Sequence, residues 1–168
     1  TRNVLAVAEP GATFLLNAPY GPEEVWSHLP VEVQQQIIDK QLKFYVVDAY
    51  RLAGELGLGQ RINTVMQTCF FALADILPRD EAIGHIKQAI EKTYGKRGET
   101  VVRKNCEAVD SAVAALHQVE VPATATSTTH RTPPVPDNSP DFVKRVTGMM
   151  LAGLGDLLPV SALPVDGT

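Results

Sequence analysis

Between residues 61 and 76 the apolar side chains fall at Ile62, Val65, Met66, Cys69, Phe70, Leu73 and Ile76. Steps of three and four put these on one stripe of a helix, with Asn63, Thr64, Gln67, Thr68 and Asp75 opposite. So wide a stripe has to be buried, and the helix is expected to be the wall on which other elements pack. Ala72 and Ala74 would let a neighbour approach closely. The same period runs through Ala82, Ile83, Ile86, Ala89, Ile90 and Tyr94, which predicts a second helix. Pro78 suits its first position, Asp80 and Glu81 its first turn, and Gly95 its end. Val101, Val102, Asn105, Val109, Ala112, Val113 and Leu116 predict a third, over residues 99–118.

The first part of the chain reads differently. TFLLN at 13–17 is a short apolar run after Pro10-Gly11, and FYVV at 44–47 is aromatic and β-branched. Both predict buried strands. Between them, residues 22–29 predict a short helix burying Val25, Trp26 and Leu29, and residues 31–41 predict a second. Lys40 and Lys43 would favour the carbonyl end of that helix. Strand, helices and strand make a crossover unit, so the strands are expected to be parallel. A further short helix is expected at 50–58. The fold class is therefore α/β: an incomplete parallel sheet flanked by amphipathic helices. Two visible strands rarely make a stable sheet alone.

Periodicity fails at Glu120. Residues 121–141 are rich in Pro and Thr and read as an extended linker. Residues 142–168 regain apolar side chains and predict a helix to about Leu154, docked on this domain or a neighbour. The expected organisation is a domain at 1–120, a linker at 121–141 and a tail at 142–168. The chain lacks an initiator Met and stops in a turn-like LPVSALPVDGT, so it is expected to be a piece of something larger.

Composition narrows the partners. The net charge of −4 comes without a basic stripe, which argues against a nucleic-acid surface. No apolar run approaches the roughly 20 residues that span a bilayer, and the stretch TRNVLAVAEPG is not expected to be a signal peptide. Cys69 and Cys106 are the only cysteines and lie on predicted apolar helix faces, which fits reduced core thiols in a cytoplasmic protein. An iron–sulfur cluster takes about four ligands.

Candidate chemistry is sparse. Gly57, Gly59 and Arg61 precede the central helix, whose first turn offers amide donors while Arg61 could contact a coenzyme phosphate. The alternative is a glycine turn joining two helices. Asn17 and Asp48 would lie at the carboxyl ends of the strands, where open α/β sheets place ligands. Asn63 and Gln67 share a polar helix face and could read a substrate amide or a neighbouring subunit; the alternative is a solvated face. The four histidines are isolated, and neither a catalytic centre nor a metal site is expected.

Three stretches and the chain's ending together carry a resemblance. GATFLLNAPYGPEEVWSHLP, KFYVVDAYRLAGELGLGQRINTVMQTCFFALADILP, DEAIGHIKQAIEKTYGKRGET and LPVSALPVDGT resemble the pyruvate:ferredoxin (or flavodoxin) oxidoreductases. The resemblance covers nearly the whole chain. It implies the later part of the gamma-type domain plus the connector toward a ferredoxin-like domain. In that family pyruvate is decarboxylated on thiamine diphosphate with magnesium. Electrons pass through 4Fe-4S clusters to ferredoxin or flavodoxin, and the acetyl group goes to coenzyme A. The resemblance implies that these cofactors are held by other domains of the same polypeptide, in a homodimeric parent, and that none is bound here. No catalytic residue of the family maps onto this chain. The segment is then expected to scaffold or cover the coenzyme A side of the active site and to be inactive alone. The rival expectation is a non-catalytic assembly module with no ligand contact.

Overall fold

The computed structural model describes residues 3–74 and 76–164. Asp75, assigned to the polar face of the central helix, and the last residues of the tail lie outside the described residues. Strands β1 (Thr13–Asn17) and β2 (Lys43–Val47) are parallel, with Thr13 opposite Lys43 and Asn17 opposite Val47. Between them come one 3-10 turn, Val25–His28, and helix α1, Val31–Asp39. The turn is shorter than the expected helix, yet it buries Val25, Trp26 and Leu29 as the pattern required.

Helix α1 ends earlier than expected, at a motif that needs a left-handed residue. Gln41 takes φ 50, its N–H bonds the Ile38 carbonyl, and the Leu42 N–H bonds the Ile37 carbonyl. Glycine adopts this conformation without a Cβ clash. Gln41→Gly should therefore raise stability by about 0.5–1 kcal/mol, read as a higher denaturant midpoint. Lys40 turns away from its own helix end. Its ammonium donates to the Leu5 and Ala8 carbonyls at 2.7 Å each and to Ala6 at 3.0 Å. The N-terminal 3-10 turn Val4–Val7 is thereby fixed beside α1.

After β2 come α2 (Ala49–Glu55), α3 (Asn63–Ala74), α4 (Arg79–Tyr94) and α5 (Glu99–Ala114). α3 packs on α5, α4 and α2, so it is the wall that the pattern implied. The buried face differs from the expected stripe. Thr64 and Thr68, assigned to the polar side, are buried, whereas Phe70 and Ile76 are 56% and 68% exposed. Neighbours on several sides turn the buried sector toward the threonines. Their hydroxyls find partners: Thr68 donates to the Thr64 carbonyl at 2.8 Å and Thr64 to Asn105 Oδ1 at 3.2 Å.

α5 is also shorter than expected. His117 and Gln118, read as its last residues, form β3 (His117–Gln118), antiparallel to β2. The sheet thus has three strands in the order β1-β2-β3. The Val119 N–H adds a bond to the Phe44 carbonyl at 2.9 Å. Backbone groups along β2 need partners, and that demand overrides helical continuation.

The sheet carries a core on each side. Leu5, Val25, Trp26, Leu29, Ile37, Phe44 and Val46 form one cluster; Val47, Leu52, Val65, Cys69, Ala108 and Ala112 belong to the other. In the tail, residues 141–151 form one helical stretch, with a π-helical turn at Val143–Thr147 leading into α6 (Gly148–Leu151) and an end slightly before the expected Leu154.

Candidate functional site

The carboxyl ends of β1 and β2 hold Asn17 and Asp48 side by side, and both cap α2. Asn17 Oδ1 accepts from the Ala49 N–H at 2.9 Å, and Asp48 Oδ1 from the Arg51 N–H at 3.0 Å. The Asp48 carboxylate also lies 3.5 Å from Arg51 Nε. Asp48, Arg51, Tyr20 and His117 line a groove of about 150 Å³ there. Asn17 shapes this end of the sheet by orienting α2.

The loop from α2 to α3 holds Gly57 at φ 68 and Gly59 at φ 64. The Gly57 N–H bonds the Gly54 carbonyl at 3.0 Å and the Leu58 N–H bonds the Ala53 carbonyl at 2.8 Å. This double closure is a Schellman cap, and it accounts for the glycine at 57. A second observation concerns the space around it. A Cβ built on Gly57 would lie 2.8 Å from Lys104 Nζ, an ammonium delivered by α5. Arg61 is exposed, and its Nε donates to the Leu58 carbonyl at 3.2 Å, which holds its stem against the same loop. Two cations therefore flank a glycine-bearing turn that leads into α3.

Asn63 and Gln67 are exposed and line a further groove, about 270 Å³, with Thr64, Ile86, Ile90 and Tyr94. It lies between α3 and α4. Thr64 joins this groove to α5 through Asn105, the residue after Lys104. Asp48 lines one groove and Asn63 and Gln67 another, so the strand-end residues and the helix-face residues do not share a site. Sequence reading missed Lys104. It is a single lysine far along the chain from Gly57, and only the packing of α5 on α2 makes it a neighbour.

The thiols behave as core groups. Cys69 is fully buried, its Sγ donates to the Ala112 carbonyl at 3.8 Å, and burial pushes its pKa up to about 11. Its thiolate fraction at neutral pH is about a hundredfold below that of an ordinary cysteine. Burial also raises Cys106. Two cysteines, one of them locked in a helix interface, do not make the donor set of a cluster, which takes about four thiolates. Among the described residues no helix is long and apolar enough to cross a membrane.

Residues 1–115 match the family model described as pyruvate ferredoxin/flavodoxin oxidoreductase. The chain belongs to this oxidoreductase family. Residues 128–168 match a second model, described as a domain of unknown function. A pyruvate-flavodoxin oxidoreductase of Rhodospirillum rubrum is 54% identical over 99% of the chain, and a pyruvate:ferredoxin oxidoreductase of Moorella thermoacetica 42% identical over 98%. A pyruvate dehydrogenase (NADP+) of Cryptosporidium parvum is 37% identical over 99%. This member of the oxidoreductase family spans about 14% of the length of the first two relatives and 10% of the third.

Proposed function

We propose that this chain is one supporting part of an oxidoreductase that converts pyruvate and coenzyme A to acetyl-coenzyme A and carbon dioxide, the electrons leaving to ferredoxin or flavodoxin. Its own role is to cover the coenzyme A side of the active site, and it has no activity by itself. Thiamine diphosphate with magnesium would supply the decarboxylation chemistry and 4Fe-4S clusters the electron path, all held by other domains of the same polypeptide in a cytoplasmic homodimer. The observation that carries the reading is the cationic turn: Gly57 and Gly59 at positive φ, Arg61 beside them, and Lys104 Nζ 2.8 Å from the position a Gly57 Cβ would take. Exposed backbone and two cations suit a phosphate, and Asn63 and Gln67 lie on the first turns of the helix that follows. The chain's relatives carry flavodoxin, ferredoxin or NADP+ in their names.

In the full-length enzyme, Arg61→Ala and Lys104→Ala should each raise the coenzyme A concentration needed for half-maximal rate about tenfold, since a charge-assisted bond contributes about 1.4 kcal/mol. The pyruvate requirement should stay unchanged. A coenzyme A requirement equal to the parent's in both variants removes the role.

The assembly-module reading has its own support in the exposed apolar side chains of the tail, Leu151, Leu157 and Val160 among them. Titration of the chain with coenzyme A separates the two. At about 100 times its dissociation constant the ligand should add about 2.7 kcal/mol of stability. An unmoved melting temperature favours assembly.

A further inference from the structure

The segment whose composition reads as a linker is hydrogen-bonded along one side to α1, while its outer side stays exposed. Gln34 on α1 is fully buried, and both ends of its carboxamide are used. Nε2 donates to the Trp26 carbonyl at 2.7 Å, while Oε1 accepts from the Thr126 N–H at 2.8 Å and the Ser127 N–H at 2.9 Å. The Val31 N–H, which has no partner within its own helix, donates to the Thr129 carbonyl at 2.8 Å. The Glu32 carboxylate takes His130 Nδ1 at 2.8 Å and the Arg131 N–H at 3.0 Å. The Arg131 guanidinium donates to Gln36 Oε1 at 2.9 Å and Asn3 Oδ1 at 3.0 Å. Inside the segment, Ser127 Oγ accepts from the Thr129 N–H at 3.1 Å, which shapes the turn. Arg131 and Thr132 then wall an apolar groove of about 380 Å³ beside Leu5, Phe14, Leu29 and Val33.

We infer that residues 126–131 are a strap, locked onto α1 by Gln34, that fixes where residues 132–164 leave the sheet domain. α1 offers an extended backbone an acceptor at Gln34, a donor at Val31 and a carboxylate at Glu32, so its face is a docking track for peptide. Glutamine suits the buried position because one side chain both accepts twice and donates. Glutamate would lose the donor and leucine would lose everything, leaving the Trp26 carbonyl and the part-buried Thr126 and Ser127 amides without these partners. The strap spans the boundary at which the match to the domain of unknown function begins. That domain's first residues thus belong to the surface of the oxidoreductase domain.

The test is hydrogen exchange in the full-length protein. The Thr126, Ser127 and Arg131 amides should be protected in the parent. Gln34→Leu should lose at least tenfold of the protection at Thr126 and Ser127, and proteolysis within residues 123–132 should quicken at least tenfold, with the amides of β2 unaffected. Glu32→Ala, on the more exposed side of α1, should release Arg131 and leave Thr126 and Ser127 protected. This second variant keeps the test open if Gln34→Leu fails to fold. Unprotected Thr126 and Ser127 amides in the parent, or protection and cleavage unchanged in Gln34→Leu, would overturn the strap. So would protection at Arg131 that survives Glu32→Ala.

Discussion

Phe44→Ala should destabilise this chain by about 3–5 kcal/mol, the range for removing a fully buried aromatic ring. Phe44 sits at the middle of the sheet, in register with Phe14, and the two rings stack at 5.3 Å with 15° between their planes. It is fully buried among Val25, Leu29, Ile37 and Val46. The strand on either side is hydrogen-bonded, so the backbone cannot collapse into the space the ring leaves. The penalty is then transfer plus cavity. Chemical denaturation should show a lower midpoint with an unchanged slope, because the area exposed on unfolding hardly alters. Phe70→Ala is the control. That ring is 56% exposed, and its loss should cost about 1 kcal/mol or less. Equal losses at the two sites would mean that the sheet core is not where the packing places it.

Val65→Asp should cost a similar amount, about 3–5 kcal/mol at neutral pH, because it places a charge inside an apolar cluster. Val65 is fully buried between α3, α2 and α5, packed in the cluster of Leu52, Cys69, Ala108 and Ala112. Its pH dependence separates charge from shape. Burial would raise the carboxyl above its unfolded value of about 3.9. The folded variant then tolerates the protonated form. Its deficit is smallest below about pH 4, where both states are protonated, and grows as pH rises toward the folded-state value. A deficit that stayed flat from pH 4 to 7 would mean that the loss is one of packing alone. Val65→Ala supplies that packing reference.

The parts legible in the sequence were those with local punctuation. TFLLN stood between Pro10-Gly11 and Asn17-Ala18-Pro19, and β1 occupies those five residues. Pro78 and Gly95 bracketed α4 just as closely. What escaped was set by tertiary context. β3 is only His117–Gln118, too short to show a period, and it exists because β2 has an edge to fill. α3 is apolar on more than one side, so spacing fixed its helicity but not which face would turn inward. In Gln34-Gln35-Gln36 the first of the three is buried and the second exposed, a difference that residue type alone does not carry. The Pro and Thr content of residues 121–141 reads as an extended linker, and composition alone does not report the partners of residues 126–131 on α1. At the cationic turn Gly57, Gly59 and Arg61 were visible as neighbours in the chain, whereas Lys104 needed the helices to be placed.

The segment after β3 is fastened at two points: Val119 to the Phe44 carbonyl, and Thr126 to Gln34. Between those anchors residues 120–125 have a fixed distance to cover, with a bend at 123–124. Changing the length there would shift the strap against its partners on α1, so homologous chains should keep this spacing nearly constant. Past Thr132 no such ruler applies, and natural variation in length should collect there.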